Sequence, residues 1–142
     1  MDESLHTAIY KTFHAQKNRL RPGMAQIGLS PGQPKVLRYL AANDSCMQKE
    51  IAEALDIEPA TVSRLLTTME QNGLSVRSAQ AERRRAESVR ITEEGRQALA
   101  QWKTLCAVVE EEALSGFSDE ERRQLIALLS RVYFNLTGKS ME

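Results

Sequence analysis

Three consecutive arginines, Arg83–Arg85, lie in the stretch "AQAERRRAESVRIT" of a 142-residue chain whose formal net charge is zero. Guanidinium groups bind phosphate and carboxylate oxygens through paired hydrogen bonds, so this run suits an anionic partner. Residues 77–90 contain five arginines and two acids, whereas residues 93–121 contain eight acids and two basic residues. This segregation predicts one surface that meets an anion and another that does not.

A second group of polar side chains recurs along "PATVSRLLTTME", where Val62, Leu65, Leu66 and Met69 have the spacing of a helix with one apolar face. Hydroxyl groups can bind nucleic-acid base edges and phosphates, and an arginine can bind a guanine through two hydrogen bonds. The candidate DNA-contacting residues are Pro59 and Ala60 at the tip and Thr61, Ser63, Arg64, Thr67 and Thr68 along the polar face. The alternative is a polar face that is merely solvated.

Neighbouring segments place both groups in one motif. Ile51, Ala52 and Leu55 predict a short helix, separated from the next only by "DIEP". The alternating pieces "LSVRSA" and "AESVRIT" flank "QAERRR" and predict a two-stranded hairpin, after which Thr92 caps a helix. This order predicts a winged helix-turn-helix, whose second helix lies in the DNA major groove. The arginine run would form the wing tip and contact phosphates or the adjacent minor groove.

The first two helices are predicted from apolar spacing and from helix-ending and capping residues. Apolar side chains recur at helical spacing over residues 5–20, and this helix should end near Pro22, because the residue before a proline disfavours helical backbone. Ser30 with Gln33 has capping-box spacing, which predicts a second helix with Pro31 at its first position. Pro34 falls at the edge of its first turn, so the alternative is a start that is shifted by a few residues.

The terminal helices carry more apolar surface than a small winged helix can cover. Ser118 with Glu121 predicts a capping box that opens the last one. The candidates for packing between two chains are Trp102, Val109, Leu125, Leu129 and Tyr133. We therefore predict a mainly α protein with a helical dimerisation region at residues 1–29 and 96–142 and a winged helix-turn-helix at residues 30–95. A two-fold dimer would hold two recognition helices about 34 Å apart on palindromic double-stranded DNA, and a monomer core is the alternative.

The remaining reactive side chains form no catalytic or metal-binding pattern. Cys46 and Cys106 lie far apart, and His6 and His14 are too distant from each other to hold one metal alone. No nucleophile motif or nucleotide-binding glycine pattern occurs, so we expect neither an enzyme nor a cofactor. Both cysteines are interpreted as small buried hydrophobes, and the alternative is an oxidation switch at Cys46, which requires an exposed thiolate.

Composition is that of an ordinary single domain, with 42% hydrophobic and 27% charged residues. The chain contains no run of 18 apolar residues, so no membrane span is predicted. The stretch "MDESLHTAIY" has acids where a secretory leader needs basic residues. We therefore expect a cytoplasmic protein.

These motifs, in this order, resemble the MarR family of bacterial transcriptional regulators along nearly the whole chain. The matching stretches are "LSPGQPKVLRYL", "QKEIAEALDI", "PATVSRLLTTMEQNGL" and "ERRRAESVRITEEG". The resemblance implies an obligate dimer that represses, or sometimes activates, neighbouring genes until a small molecule or an oxidant acts on it. It also implies that a small aromatic effector would lie between the dimerisation region and the winged helix.

One position departs from the family pattern. Arg83 stands where the family usually has the acid of an Asp-x-Arg pair, while Arg85 matches the arginine. In the family that acid supports the arginine for insertion into the groove, and Glu82 could replace it only if the loop shifts. The sequence thus predicts a dimeric, sequence-specific DNA-binding repressor. The alternative is a winged-helix protein-interaction module without DNA binding, against which Arg64 and the arginine run argue.

Overall fold

The computed structural model describes residues 4–80 and 83–141, and for residues 79, 80 and 83–87 it describes the backbone alone. The elements in chain order are α1 (Leu5–Ile27), α2 (Gln33–Ala42), β1 (Cys46–Met47), α3 (Gln48–Leu55), α4 (Pro59–Gln71), β2 (Ser75–Gln80), β3 (Arg83–Ile91), α5 (Glu93–Ala113) and α6 (Asp119–Thr137). The predicted mainly α fold with a small β wing is confirmed. In the part described, no helix is long and apolar enough to cross a membrane.

Backbone contacts divide the chain into two compact units, one ending at Cys106 and one beginning at Ala107. The first unit contains a core in which α2, α3, α4 and β3 pack together with the start of α5. Its fully buried side chains include Leu37, Leu40, Ile51, Leu66 and Met69. The predicted division into residues 30–95 and the two chain ends concerns function and stays a prediction.

The turn between α3 and α4 has the predicted form. Asp56 takes left-handed backbone at φ +55°, which aspartate tolerates better than most residues. The N–H of Ile57 donates to the Ala52 carbonyl at 3.1 Å, and Pro59 begins α4. Ala52 and Val62 are both buried, so these two short helices share a core.

The sheet has three antiparallel strands in the order β1-β3-β2, although the sequence predicted a two-stranded hairpin. The additional strand, β1, pairs Cys46 with Val89 and Met47 with Ser88. The hairpin is also longer than predicted, since Arg83–Arg85 begin β3 rather than forming the loop. The last described pair is Gln80 with Arg83, beyond a register shift at Ala79 and Gln80.

The prediction that the first helix ends near Pro22 is wrong, because α1 continues to Ile27 and ends at Gly28, where φ is +89°. A Cβ built on Gly23 would lie 2.5 Å from Leu105 Cδ2 of α5. The pair Pro22-Gly23 therefore marks a close approach of two helices and not a chain break.

The second helix starts at the shifted position that Pro34 allowed, and the placement of Pro31 at its first position is wrong. The helix α2 begins at Gln33, with Gly32 as its N-cap and Pro34, rather than Pro31, in its first turn. Half of the predicted capping box forms nevertheless, since the Ser30 N–H donates to Gln33 Oε1 at 3.0 Å.

Two predicted caps are confirmed. The Gly95 N–H donates to Thr92 Oγ1 at 3.0 Å at the start of α5, and Ser118 and Glu121 form both bonds of a capping box on α6.

The side chains that were predicted to pack between chains have different environments. Val109 is buried within a single chain, and Trp102 is half-buried against the winged-helix core. Leu125 and Leu129 are exposed, while Tyr133 is half-buried. The prediction of packing between chains therefore fails for Val109, which is already buried. Trp102 packs in part against the core of its own chain.

Gly95 provides a stability test of the fold. A Cβ at this position would overlap the backbone carbonyl oxygen of Leu74, which cannot move as a side-chain terminus can. We expect Gly95→Ala to lower the free energy of unfolding by about 2–4 kcal/mol in urea denaturation, even though alanine favours helix. The control is Arg96→Ala at the exposed next position, which should change it by less than about 0.5 kcal/mol. A Gly95→Ala protein as stable as the wild type would show that the backbone at Leu74 can give way to a methyl group.

Candidate nucleic-acid interface

The orientation of α4 follows from its apolar side. Val62, Leu66 and Met69 are buried, which turns the opposite side of the helix to solvent. On that side Pro59, Ala60, Arg64, Thr67 and Thr68 are exposed, and Thr61 and Ser63 are partly exposed. The structure thus brings the seven predicted helix residues onto one accessible surface.

Hydrogen bonds within α4 determine what its hydroxyl groups can offer. Thr67 Oγ1 donates to the Ser63 carbonyl at 3.0 Å, and Thr68 Oγ1 donates to the Arg64 carbonyl at 3.2 Å. A hydroxyl has one proton and two lone pairs, so both threonines present acceptors rather than donors to a partner. Arg64 Nη2 donates to Thr61 Oγ1 at 3.4 Å. The Arg64 side chain is exposed, so its other N–H groups are accessible to a partner.

Arg77 of β2 connects the wing to α4. Its Nε and Nη2 donate to the two carboxylate oxygens of Glu70 at 2.6 and 3.2 Å, and Nη2 also donates to Thr67 Oγ1 at 3.2 Å. Nη1 donates to Gln48 Oε1 of α3 at 3.5 Å. We call these four residues the Arg77 brace. The sequence indicated Arg77 only as part of the basic segment. A signal for its pairing was present, because Glu70 and Arg77 have opposite charges and flank the turn at Gly73.

The base of the wing is closed by a second group of contacts. Thr92 Oγ1 donates to the Gly73 carbonyl at 2.6 Å, and the Thr92 N–H donates to the Leu74 carbonyl at 3.1 Å. Gly73 has the predicted left-handed backbone at φ +74°, and the Leu74 N–H donates to the Met69 carbonyl at 2.8 Å. These contacts hold the end of α4 and the start of α5 together at the base of the hairpin, where β2 begins and β3 ends.

The wing arginines are placed by backbone alone. Arg83, Arg84 and Arg85 lie at the outer end of β3, next to the tip of the hairpin. Their side chains and all of Glu82 lie outside the described part of the structure, so the phosphate and minor-groove contacts stay a prediction.

Comparison with known proteins identifies the family. Residues 29–86 match the MarR family. The chain is 31% identical over 106 residues to a protein named as the transcriptional regulatory protein for the hcr operon of Thauera aromatica, covering 75% of this chain and 64% of that protein, a little less than two thirds of its length. It is also 31% identical to the transcriptional regulator PA3341, with a TM-score of 0.80 and coverage of 96% and 100% of the two chains. This chain belongs to the MarR family. It is a transcriptional regulator of the MarR type and not an enzyme.

A third likeness covers most of the molecule. The transcriptional repressor CouR, solved on a 23-mer DNA duplex, has a TM-score of 0.85 and 29% identity, with coverage of 92% of this chain and 93% of CouR. The winged-helix fold of this MarR-family chain is thus shared with a repressor solved on DNA.

Cys46 does not have the properties of a redox sensor. It is 3% exposed, and burial, with a smaller contribution from Glu50, raises the pKa of its thiol to about 11. Since the reactive species is the thiolate, this shift works against oxidation at neutral pH. The interpretation of Cys46 as a buried hydrophobe is confirmed, and Cys106 is half-buried. In residues 4–80 and 83–141, no group of three His, Cys, Asp or Glu side chains could hold a metal.

A cavity of about 380 Å³ lies between α1, α2 and α5 within the first unit. Its lining consists of Phe13, Gln16, Lys17, Leu20, Met24, Pro31, Gly32, Pro34, Lys35, Arg38 and Trp102. Two aromatic rings and three cationic side chains thus face one apolar space. The sequence did not reveal this cavity, because Trp102 lies far along the chain from its other lining residues.

Proposed function

We propose that this MarR-family protein is a homodimeric, sequence-specific DNA-binding repressor of neighbouring genes, released from DNA by a small aromatic acid. The observation that carries the proposal is the accessible polar surface of α4, with Arg64 exposed and a wing beside it whose central strand, β3, begins with three arginines. The likeness to CouR, solved on a DNA duplex, supports it. The protein would act in the cytoplasm, on double-stranded operator DNA.

The proposed contacts divide by chemistry. Arg64 binds a guanine edge, and Thr61, Ser63, Thr67 and Thr68 lie against bases or phosphates in the major groove, with Pro59 and Ala60 at the helix tip. Arg83–Arg85 bind phosphates or the minor groove, where narrow width concentrates negative potential. A winged-helix module that binds only protein would not require this arginine run.

The dimer is supported by apolar side chains on both terminal helices. None of the residues of α1 or α6, all of them described, is buried within the chain. The large apolar side chains left exposed there include Leu5, Ile9, Tyr10 and Phe13 of α1 and Leu125, Ile126, Leu128, Leu129, Phe134 and Leu136 of α6. Apolar surface of this extent marks an association site, and a two-fold dimer would cover it on both chains.

The effector is inferred from the cavity between α1, α2 and α5. Phe13 and Trp102 suit an aromatic ring, and Lys17, Lys35 and Arg38 suit a carboxylate. The cavity volume of about 380 Å³ is enough for one small aromatic acid. A small-molecule signal is therefore favoured over oxidation of Cys46.

Replacing all three wing arginines by alanine tests the DNA contacts. If two wings supply about six phosphate contacts, the logarithm of the binding constant should fall with the logarithm of salt concentration at a slope of roughly −5. We expect the slope for the triple variant to move clearly towards zero in gel-shift titrations on the DNA upstream of the protein's own gene. Arg131→Ala on α6 is the control, and an unchanged slope in the triple variant would refute the wing's role.

Sedimentation tests the dimer. We expect a dimer at micromolar concentration, and a monomer after Leu129→Glu, because a carboxylate cannot be buried unpaired in an apolar interface. Arg131→Glu is the matched control and should remain dimeric. A wild-type monomer at micromolar concentration would contradict the proposal.

Fluorescence tests the cavity, because Trp102 is the only tryptophan in the chain. Titration with benzoate or a hydroxybenzoate should quench its emission and weaken DNA binding. In the double variant Lys35→Met, Arg38→Met, the apparent Kd for benzoate should rise about tenfold, because charge-assisted hydrogen bonds to the carboxylate are lost. Benzamide, a neutral analogue, should bind weakly to both proteins. Equal binding of benzoate and benzamide would exclude the carboxylate contact.

A further inference from the structure

The Arg77 brace connects three elements at the centre of the proposed DNA-binding surface. Arg77 belongs to β2, Glu70 and Thr67 to α4, and Gln48 to the first position of α3. The guanidinium bonds both carboxylate oxygens of Glu70, and the side chains of Arg77 and Glu70 are only 20% and 30% exposed. Paired hydrogen bonds between a planar guanidinium and a carboxylate restrict direction as well as distance.

Resting on the proposed function, we propose that Arg77 is a positioning residue for DNA recognition, fixing the wing relative to α4, and that Thr67 serves this brace and does not read a base. The brace acts on the side of the hairpin, between its base at Thr92 and its arginine-rich end. Without it, β2 would be held to α4 chiefly at Gly73 and Leu74, where the chain turns.

The electrostatics of Arg77 argue against a phosphate contact. A guanidinium already paired with a carboxylate has little net charge to offer DNA, and the bonds to Glu70, Thr67 and Gln48 involve all three of its nitrogens. The hydroxyl of Thr67 donates its proton to the Ser63 carbonyl and accepts from Arg77. Thr68, one residue further, makes only the bond to the Arg64 carbonyl among those described and keeps its acceptors towards solvent.

Glu70→Gln separates positioning from simple charge. The change removes a negative charge next to the DNA surface, so electrostatics alone predicts tighter binding. Loss of the brace predicts the opposite, an operator affinity weaker by about 3- to 10-fold, with affinity for a scrambled duplex of the same length unchanged or higher. An operator affinity equal to or tighter than that of the wild type would overturn the proposal.

Arg77→Met and Arg90→Met form a matched pair, because both remove one cation from the sheet. Arg90 is exposed and has a weak 3.6 Å ion pair with Asp44, away from α4. We expect Arg77→Met to lower operator affinity by about tenfold without changing the salt slope, since it removes no phosphate contact. A slope shallower by about one, as each lost phosphate contact gives, would show a direct contact and overturn the proposal.

Thr67→Val tests the second half of the inference. Valine keeps the shape and removes the hydroxyl, so affinity should fall slightly and equally for all operator variants. Loss of discrimination at a single base pair would show that Thr67 reads DNA.

Amide hydrogen exchange in the free protein separates failure of the brace from failure of DNA binding. Exchange at the β2 amides should be at least about fivefold faster in Arg77→Met than in Arg90→Met, because the brace restrains local opening. If the wild type binds no duplex, the proposed function fails and exchange alone decides the brace. Equal exchange in the two variants would overturn it.

Discussion

The close approach of Gly95 to the Leu74 carbonyl is the constraint on which the rest of this molecule depends. Only a residue without a Cβ fits there, and the contact places the first turn of α5 against the end of α4. Thr92 completes the junction by bonding both Gly73 and Gly95. Since both strands of the wing leave from this point, the base of the hairpin is fixed whatever residues form its outer end. The arginine run can therefore depart from the family pattern at Arg83 without disturbing the fold.

The two elements fixed by this junction, α4 and the wing, differ in the charge and hydrogen-bonding groups that they present to solvent. Thr67 and Thr68 use their protons within the helix, and Thr67 also accepts from Arg77, so Thr68 presents an acceptor oxygen and a methyl group to a partner. Arg64 is the strong donor on the exposed helix face. Under the proposed function, the wing would supply cationic charge to phosphates, which fixes position without identifying bases. Under the proposed function, sequence preference comes from α4 and most of the salt dependence from the wing.

Local signals in the sequence were sufficient for the helix-turn-helix, because its apolar spacing, its Asp56 turn and its caps all act within a few residues. They failed at Pro22-Gly23, where a local breaker pattern serves a close contact with Leu105 in a distant helix. The two-residue strand β1 is too short to have a periodicity. The cavity and the contact of Gln48 with Arg77 could not be predicted, because Trp102 and Gln48 lie far along the chain from the residues that they join.

The helix α5 connects the cavity to the wing. It begins at the Thr92 and Gly95 junction and carries Trp102 in the cavity wall seven residues after Gly95, about 10 Å along the helix axis. Under the proposed function, an effector changes DNA affinity only if it binds two arrangements of the protein unequally. A ligand that displaces Trp102 acts on a helix whose first turn cannot move independently of the wing base, because the contact between Gly95 and Leu74 leaves no free space. Rotation or translation of α5 is therefore the motion through which occupancy of the cavity would reach the DNA-binding surface.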